Sequence, residues 1–275
     1  VPFTPSHAVV ALPFMRTPLL PAAIAVGAMT PDLPLFLRGG PITYQSTHTN
    51  VLLSTVIALI LLACWYVLLR PAVRELAPAW LGRRLPPEWD RGGVAAWRAI
   101  GAPRRGARSP VWRRPLVGVA VITVSLALGV LSHIAWDAFT HEGRWGTALV
   151  PALVEPWGPL LGITWVQHGS SAAGLVLLAV SGSLWLRGRR AGELDRILPS
   201  WVRIAWWLSL PASLVLAWGI GLIAYGPLTP AWTVQHLAYR VLPPACGIWG
   251  ALTLMLCLIV LARRRALPAP APATP

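Results

Sequence analysis

Lysine is absent from this chain of 275 residues, so all 23 of its basic side chains are arginine, set against 9 acids. Charge of either sign is scarce at 12%, while 56% of residues are hydrophobic and mean hydropathy is +0.62. That balance excludes disorder for most of the chain and is far too apolar for a soluble domain of this length. Cysteine is nearly missing too. Cys64, Cys246 and Cys257 sit inside apolar runs, which excludes a disulfide scaffold and leaves three free thiols. No zinc-thiolate spacing occurs, so any metal must be held by nitrogen and oxygen. The formal net charge of +14 suggests nucleic acid as a partner until the arginines are located. They lie between apolar segments, which makes them a topology signal, and no nucleic-acid partner is expected.

A bilayer core of about 30 Å needs roughly 20 apolar residues in a helix. Five stretches meet that test, at 51 to 69, 116 to 138, 160 to 186, 204 to 225 and 238 to 262. The expected fold is therefore an all-α membrane bundle, a single domain over 1 to 265. The apolar stretch from 5 to 37 is cut by Pro13, Pro18, Pro21, Pro31 and Pro34 into pieces too short to cross, and is expected to form two short helices in a re-entrant or interfacial hairpin. A secretory signal is not expected, because no basic region precedes the apolar part and Arg16 interrupts it; Val1 is read as a translated alternative start codon.

Residues 70 to 115 form an arginine-rich linker, part of which is expected to lie amphipathically on the membrane surface. A second arginine cluster joins the third and fourth stretches, and a third, Arg263 to Arg265, follows the fifth; together the three hold 19 of the 23 arginines. With five spans they fall on one face, the cytoplasm by the positive-inside rule, in what is expected to be a bacterial inner membrane. The Pro/Ala tail from 266 to 275 is then a disordered cytoplasmic end. The opposite face collects His48, His133, Asp137, His141, Glu142, Glu155, His168 and His236, and His7 with them if it folds back beside Asp32. Histidine with carboxylate is the ligand set of zinc and related divalent ions.

His133, Asp137 and His141 are spaced four and four across the end of the second span. Each step of four turns a helix by about 40° and rises about 6 Å, so all three point to one side. The outer two are too far apart for one ion, but the carboxylate between them can bridge two. An ionisable group at membrane depth costs on the order of 3 kcal/mol and is usually functional. The plainer alternatives are that His133 and Asp137 form a packing pair, that His141 and Glu142 are a solvated helix end, that His48 and Asp32 belong to a cap and a turn, and that His168, beside Gly169, Ser170, Ser171 and Gly174, serves helix packing. The 16 tryptophans suit an aromatic belt at the span ends.

Pro2-Phe3-Thr4-Pro5-Ser6-His7, Gly27-Ala28-Met29-Thr30-Pro31-Asp32-Leu33-Pro34, Thr47-His48, the run Leu131 to His141 and Gln167-His168-Gly169-Ser170-Ser171 together resemble the bacterial membrane family called domain of unknown function 4184. That family is in turn similar to membrane-bound metal-dependent hydrolases, and its ligand order to zinc-dependent phospholipase C. The resemblance implies that His7, Asp32, His48, His133 and Asp137 hold two divalent ions, zinc first among candidates, with Asp137 bridging, and that His141 and His168 map onto ligands of a third. The chain departs from the phospholipase pattern at Ala172, where those enzymes carry a carboxylate, and in lacking a processed N-terminal tryptophan, for which water or Glu142 would substitute.

The reading is a metal-dependent hydrolase of a lipid or isoprenoid phosphate or phosphodiester at the outer membrane face, with Asp137, His133 and His141 as catalytic residues and Arg144 or Arg240 available to a phosphate. The alternatives are a metal-dependent lyase or cyclase on an isoprenoid, a transporter with a His/Asp ion path, and a non-enzymatic adaptor using the arginine-rich linker.

Overall fold

A computed structural model describes residues 3–91 and 115–266. Residues 92 to 114 of the linker, part of which is expected to lie on the membrane surface, and residues 267 to 275 of the Pro/Ala tail fall outside the described residues. Within them the fold is helical, with one two-residue antiparallel strand pair, Pro156–Trp157 against Leu160–Leu161. Five helices among the described residues are long and apolar enough to cross a membrane: Val51–Leu76, Val117–Thr140, Gly162–Arg187, Ser200–Tyr225 and Val234–Ala266. They fit a multi-pass membrane protein, and their outward faces are apolar, with Ile223 87% and Leu52 74% exposed. Below they are called the first to fifth long helices.

Three of them outrun the expected spans by four residues or more, the fourth at its start, from Ser200. The first continues through a π-helical turn at Trp65–Leu69 to Leu76, taking Arg70 and Arg74 with it. Both arginines are buried there because each has a partner: the Arg70 guanidinium lies 4.9 Å from the centre of the Tyr66 ring, and Arg74 pairs with Asp90 and donates to the Gly82 and Glu193 carbonyls. The fifth runs on through Arg263–Arg265, where cations complement the helix C-terminus.

The described residues cluster into two compact units, 3–63 with 115–188, and 64–91 with 189–266. The second is stapled by its arginines. Glu75, fully buried, accepts from the Ile197 and Leu198 backbone N–H groups at 3.1 Å each and lies 3.5 Å from Arg203 Nη1 and 3.9 Å from Arg264 Nη2. Arg264 also reaches Asp90 at 2.9 Å and the Pro71 carbonyl at 2.7 Å. Beside this network Ala72, Leu76, Leu198, Cys257 and Val260 make an apolar core.

The first unit carries the N-terminal pieces. Thr4–Arg16 is a 3-10 helix and Pro21–Met29 an α-helix, the latter followed by a single turn at Thr30–Asp32. In a 3-10 helix residues three apart eclipse one another, which puts Thr4 and His7 on one side. The Pro21–Met29 helix meets the second long helix backbone to backbone. A Cβ on Gly27 would collide with the Leu126 carbonyl, and one on Gly129 would lie 2.7 Å from the Ala28 nitrogen. The third long helix uses its small residues similarly: Ser171 Oγ accepts from the Phe3 N–H at 3.1 Å, and a Cβ on Gly174 would stand 3.0 Å from the Ser6 carbonyl oxygen. Glycine at these contacts is what lets the short N-terminal pieces lie close to the long helices.

Candidate metal centre

One turn past Gly129, the close approach of the two helices places the Ala28 carbonyl 2.7 Å from His133 Nδ1. A carbonyl only accepts, so Nδ1 carries the proton and Nε2 keeps its lone pair. His48 is fixed the same way, its Nδ1 donating to the Tyr44 carbonyl at 2.8 Å in the short helix Tyr44–Thr49, which a Thr43/Ser46 capping box begins. Thr47, buried beside it, donates to the Pro31 carbonyl at 2.7 Å and ties this helix to the turn bearing Asp32. Asp32 is fully buried, and one of its oxygens accepts from Thr4 Oγ1 at 2.6 Å.

The four remaining donor atoms face one another. His48 Nε2 and His133 Nε2 stand 3.3 and 3.4 Å from Asp137 Oδ2, and His133 Nε2 stands 3.6 Å from Asp32 Oδ1. These separations exceed the usual N–H···O range of about 2.7–3.2 Å. They match the edges of a tetrahedron, since donors about 2.0–2.1 Å from one zinc-sized ion stand about 3.4 Å apart. One ligand atom from each of Asp32, His48, His133 and Asp137 falls within 4.8 Å of the others, and all four residues are buried. Asp32 Oδ1, His48 Nε2, His133 Nε2, Asp137 Oδ1, His7 Nε2 and His141 Nε2 are buried without a hydrogen-bond partner. Buried polar atoms rarely go unpaired, so their convergence fits a cation that would satisfy them. This group could hold a metal ion.

His7 and His141 flank it. His7 Nε2 is 3.9 Å from Asp137 Oδ1, and its ring centre is 4.1 Å from that of His133. His141 is half-buried at the rim, its Nδ1 3.2 Å from the Asp137 carbonyl and 3.5 Å from Oδ2. His168 is exposed on the third long helix and is not brought to the group; nor is Glu142, also exposed. His236 stacks on Trp232 in the second unit, 5.7 Å between ring centres. His168→Ala is accordingly expected to leave bound metal per chain unchanged, measured by elemental analysis of the purified protein.

Two residues at the site carry no signal of their own in the sequence. The Tyr44 phenol donates to Asp137 Oδ2 at 3.1 Å and its ring lies 3.8 Å from that of His48. Thr4 holds Asp32. Tyr44 precedes His48 by four residues and Thr4 precedes His7 by three, the spacings that share a face in an α- and a 3-10 helix, and those spacings were the available clue.

Burial, reinforced by the neighbouring His133, lowers the His7 pKa to about 4, so at neutral pH its imidazole is uncharged and free to bind a cation. Burial raises Asp32 above the ordinary carboxyl value and lowers His141, and burial with the nearby Asp137 raises the Tyr44 phenol, which stays protonated at neutral pH. Because the fold binds a proton on His7 near 4 and the unfolded chain near 6.5, metal-free stability is full above about pH 6.5 and falls as pH drops toward 4. The loss from His7 is on the order of 3 kcal/mol, while Asp32 contributes in the opposite sense. Thermal midpoints in detergent with chelator should show this His7 component as a steeper acid decline in the wild type than in His7→Asn; equal declines would exclude it.

Fold and site together define a helical protein of multi-pass type with a buried two-histidine, two-aspartate group able to hold a metal ion. The chain belongs to the family described as Domain of unknown function (DUF4184), whose model matches residues 1–262. Comparison with curated proteins and with solved structures gives no match.

Proposed function

We propose that the protein is a membrane-embedded, metal-dependent hydrolase, with zinc as its ion, that cleaves a phosphate or phosphodiester bond of a lipid or isoprenoid at the extracytoplasmic face. The observation that carries this reading is the set of partnerless donor atoms gathered on Asp137 in a chain built of membrane-length helices. Asp32, His48, His133 and Asp137 would hold one ion, and Asp137 with His7 would supply ligands for a second. The order of these residues along the chain, similar to that of zinc-dependent phospholipase C, supports the reading, as does the segregation of arginine away from histidine in sequence. A bound divalent ion supplies a Lewis acid for the phosphoryl group and for the attacking water. The protein does the rest. Nδ1 of His141 is held at the Asp137 carbonyl, so its neutral Nε2 accepts the proton of the water as the P–O bond forms and returns it to the departing ester oxygen. Tyr44, by donating to Asp137 Oδ2, keeps that carboxylate oriented between the histidines.

The test is turnover by purified protein in mixed micelles of long-chain phospholipid or isoprenyl diphosphate. Released phosphate or headgroup should be abolished by chelation, restored by added zinc and absent from Asp137→Asn. A metal-loaded protein that turns over neither class of substrate would overturn the hydrolase reading.

A further inference from the structure

We infer that residues 141–161 form a docking lip that takes the head of an anionic bilayer phospholipid, with Arg144 on its phosphate, so that substrate enters the metal centre sideways from the membrane. The inference rests on the hydrolase reading and deepens it by fixing where the substrate comes from.

This segment joins the ends of the second and third long helices, so in a membrane it lies at the level of the lipid heads. It begins at His141 on the rim of the metal group. A groove of about 420 Å³ is lined there by Glu142, Arg144, Trp145, Thr147, Ala148 and Val154. Arg144 is half-buried in it and makes no hydrogen bond or ion pair through its guanidinium among the described residues. A guanidinium without a hydrogen-bonding partner is open to a phosphate, because its planar fork matches phosphate oxygens in pairs.

The surroundings suit a lipid better than a water-borne anion. Trp145 is 56% exposed, Leu149 70% and Trp157 45%, with Val150, Leu160 and Leu161 also open, an apolar density that an aqueous loop does not carry. Tryptophans at a wet surface commonly turn the indole N–H to water. Here Trp157 donates to the Ala152 carbonyl and Trp165 to the Trp157 carbonyl, both at 2.9 Å, so only the carbon faces of these rings are turned outward. The first part of the lip is also anchored. Thr147 Oγ1 donates to the Arg144 carbonyl at 2.8 Å, and a Cβ on Gly146 would lie within 2.7 Å of the Ala138 carbonyl carbon, so the short helix Trp145–Leu149 is seated on the end of the second long helix. Glu142 in the same groove would repel a bare phosphate dianion and accept from a hydroxyl, which selects a phosphodiester head that bears hydroxyl groups.

The test uses the full chain in phosphatidylcholine vesicles containing labelled phosphatidylglycerol, with a benzophenone amino acid in place of Trp145 or, separately, Leu149. Illumination should link the label to both positions, with chelator as well as without, since the lip does not need the ion. Arg144→Gln should cut capture of phosphatidylglycerol at least fivefold and Arg144→Lys, which keeps the charge but loses the fork, should fall between it and the wild type, at equal folded yield. Inorganic phosphate at 10-fold excess should not compete. Absence of lipid capture, capture indifferent to Arg144→Gln, or full competition by inorganic phosphate would each overturn the lip. Capture without turnover on any substrate supports the lip and removes the hydrolase reading; turnover without capture removes the lip alone.

Discussion

Asp137→Asn is expected to lower bound divalent metal per purified chain at least tenfold at equal folded yield. Asp137 Oδ2 is the atom that His48, His133 and Tyr44 share, at 3.3, 3.4 and 3.1 Å, and it is the negative charge that a cation among neutral imidazoles requires. Asparagine keeps the size and one carbonyl oxygen, so packing is disturbed little. Were Asp137 only a hydrogen-bonding partner for the histidines, the amide would serve nearly as well and metal content would not move. Elemental analysis after metal-replete expression separates the two accounts, and an unchanged metal content would leave the structural pair standing.

A larger effect with no change to any ligand is expected from Gly129→Leu. The side chain would drive into the backbone of Ile24–Ala28 and push the Pro21–Met29 helix off the second long helix, costing on the order of 4 kcal/mol. With it would go the Ala28 carbonyl that orients His133 and the turn that carries Asp32, so metal content should collapse together with thermal stability. Gly118 on the same helix has open space around it, and Gly118→Leu should change neither. Equal behaviour of the two variants would show that the close approach does not build the site.

What the sequence disclosed depended on the range of each interaction. Five apolar stretches were legible because membrane length is a local property, and His133, Asp137 and His141 because a four-residue spacing fixes a face whatever else the chain does. The convergence of His7, Asp32 and His48 on them was not derivable from spacing. It depends on contacts across more than a hundred residues, such as that of His133 with Ala28, and only the family resemblance pointed to it. Tyr44 is given no role by the sequence, and Thr4 enters only within the family motif, because a phenol and a hydroxyl announce no chemistry until the carboxylates they bind are in place. The ends of the first and fifth long helices were set too short for a related reason. Arginine reads as an end to a span, whereas Arg70, Arg74 and Arg264 are kept in helix by Tyr66, Asp90 and backbone carbonyls that only the fold supplies.

The arginine staples of the second unit also order events during synthesis. Every residue of the metal group lies before residue 142, and the small residues of the third long helix that seat the N-terminus lie before residue 175, so this half can assemble while the rest is still being translated. Glu75 and Asp90 are made early but meet Arg203 and Arg264 only when the fourth helix and then the last residues of the fifth emerge. Until then Glu75 waits without a cation and Asp90 has only Arg74, and the final turn of the fifth long helix is the latch whose arrival completes the second unit.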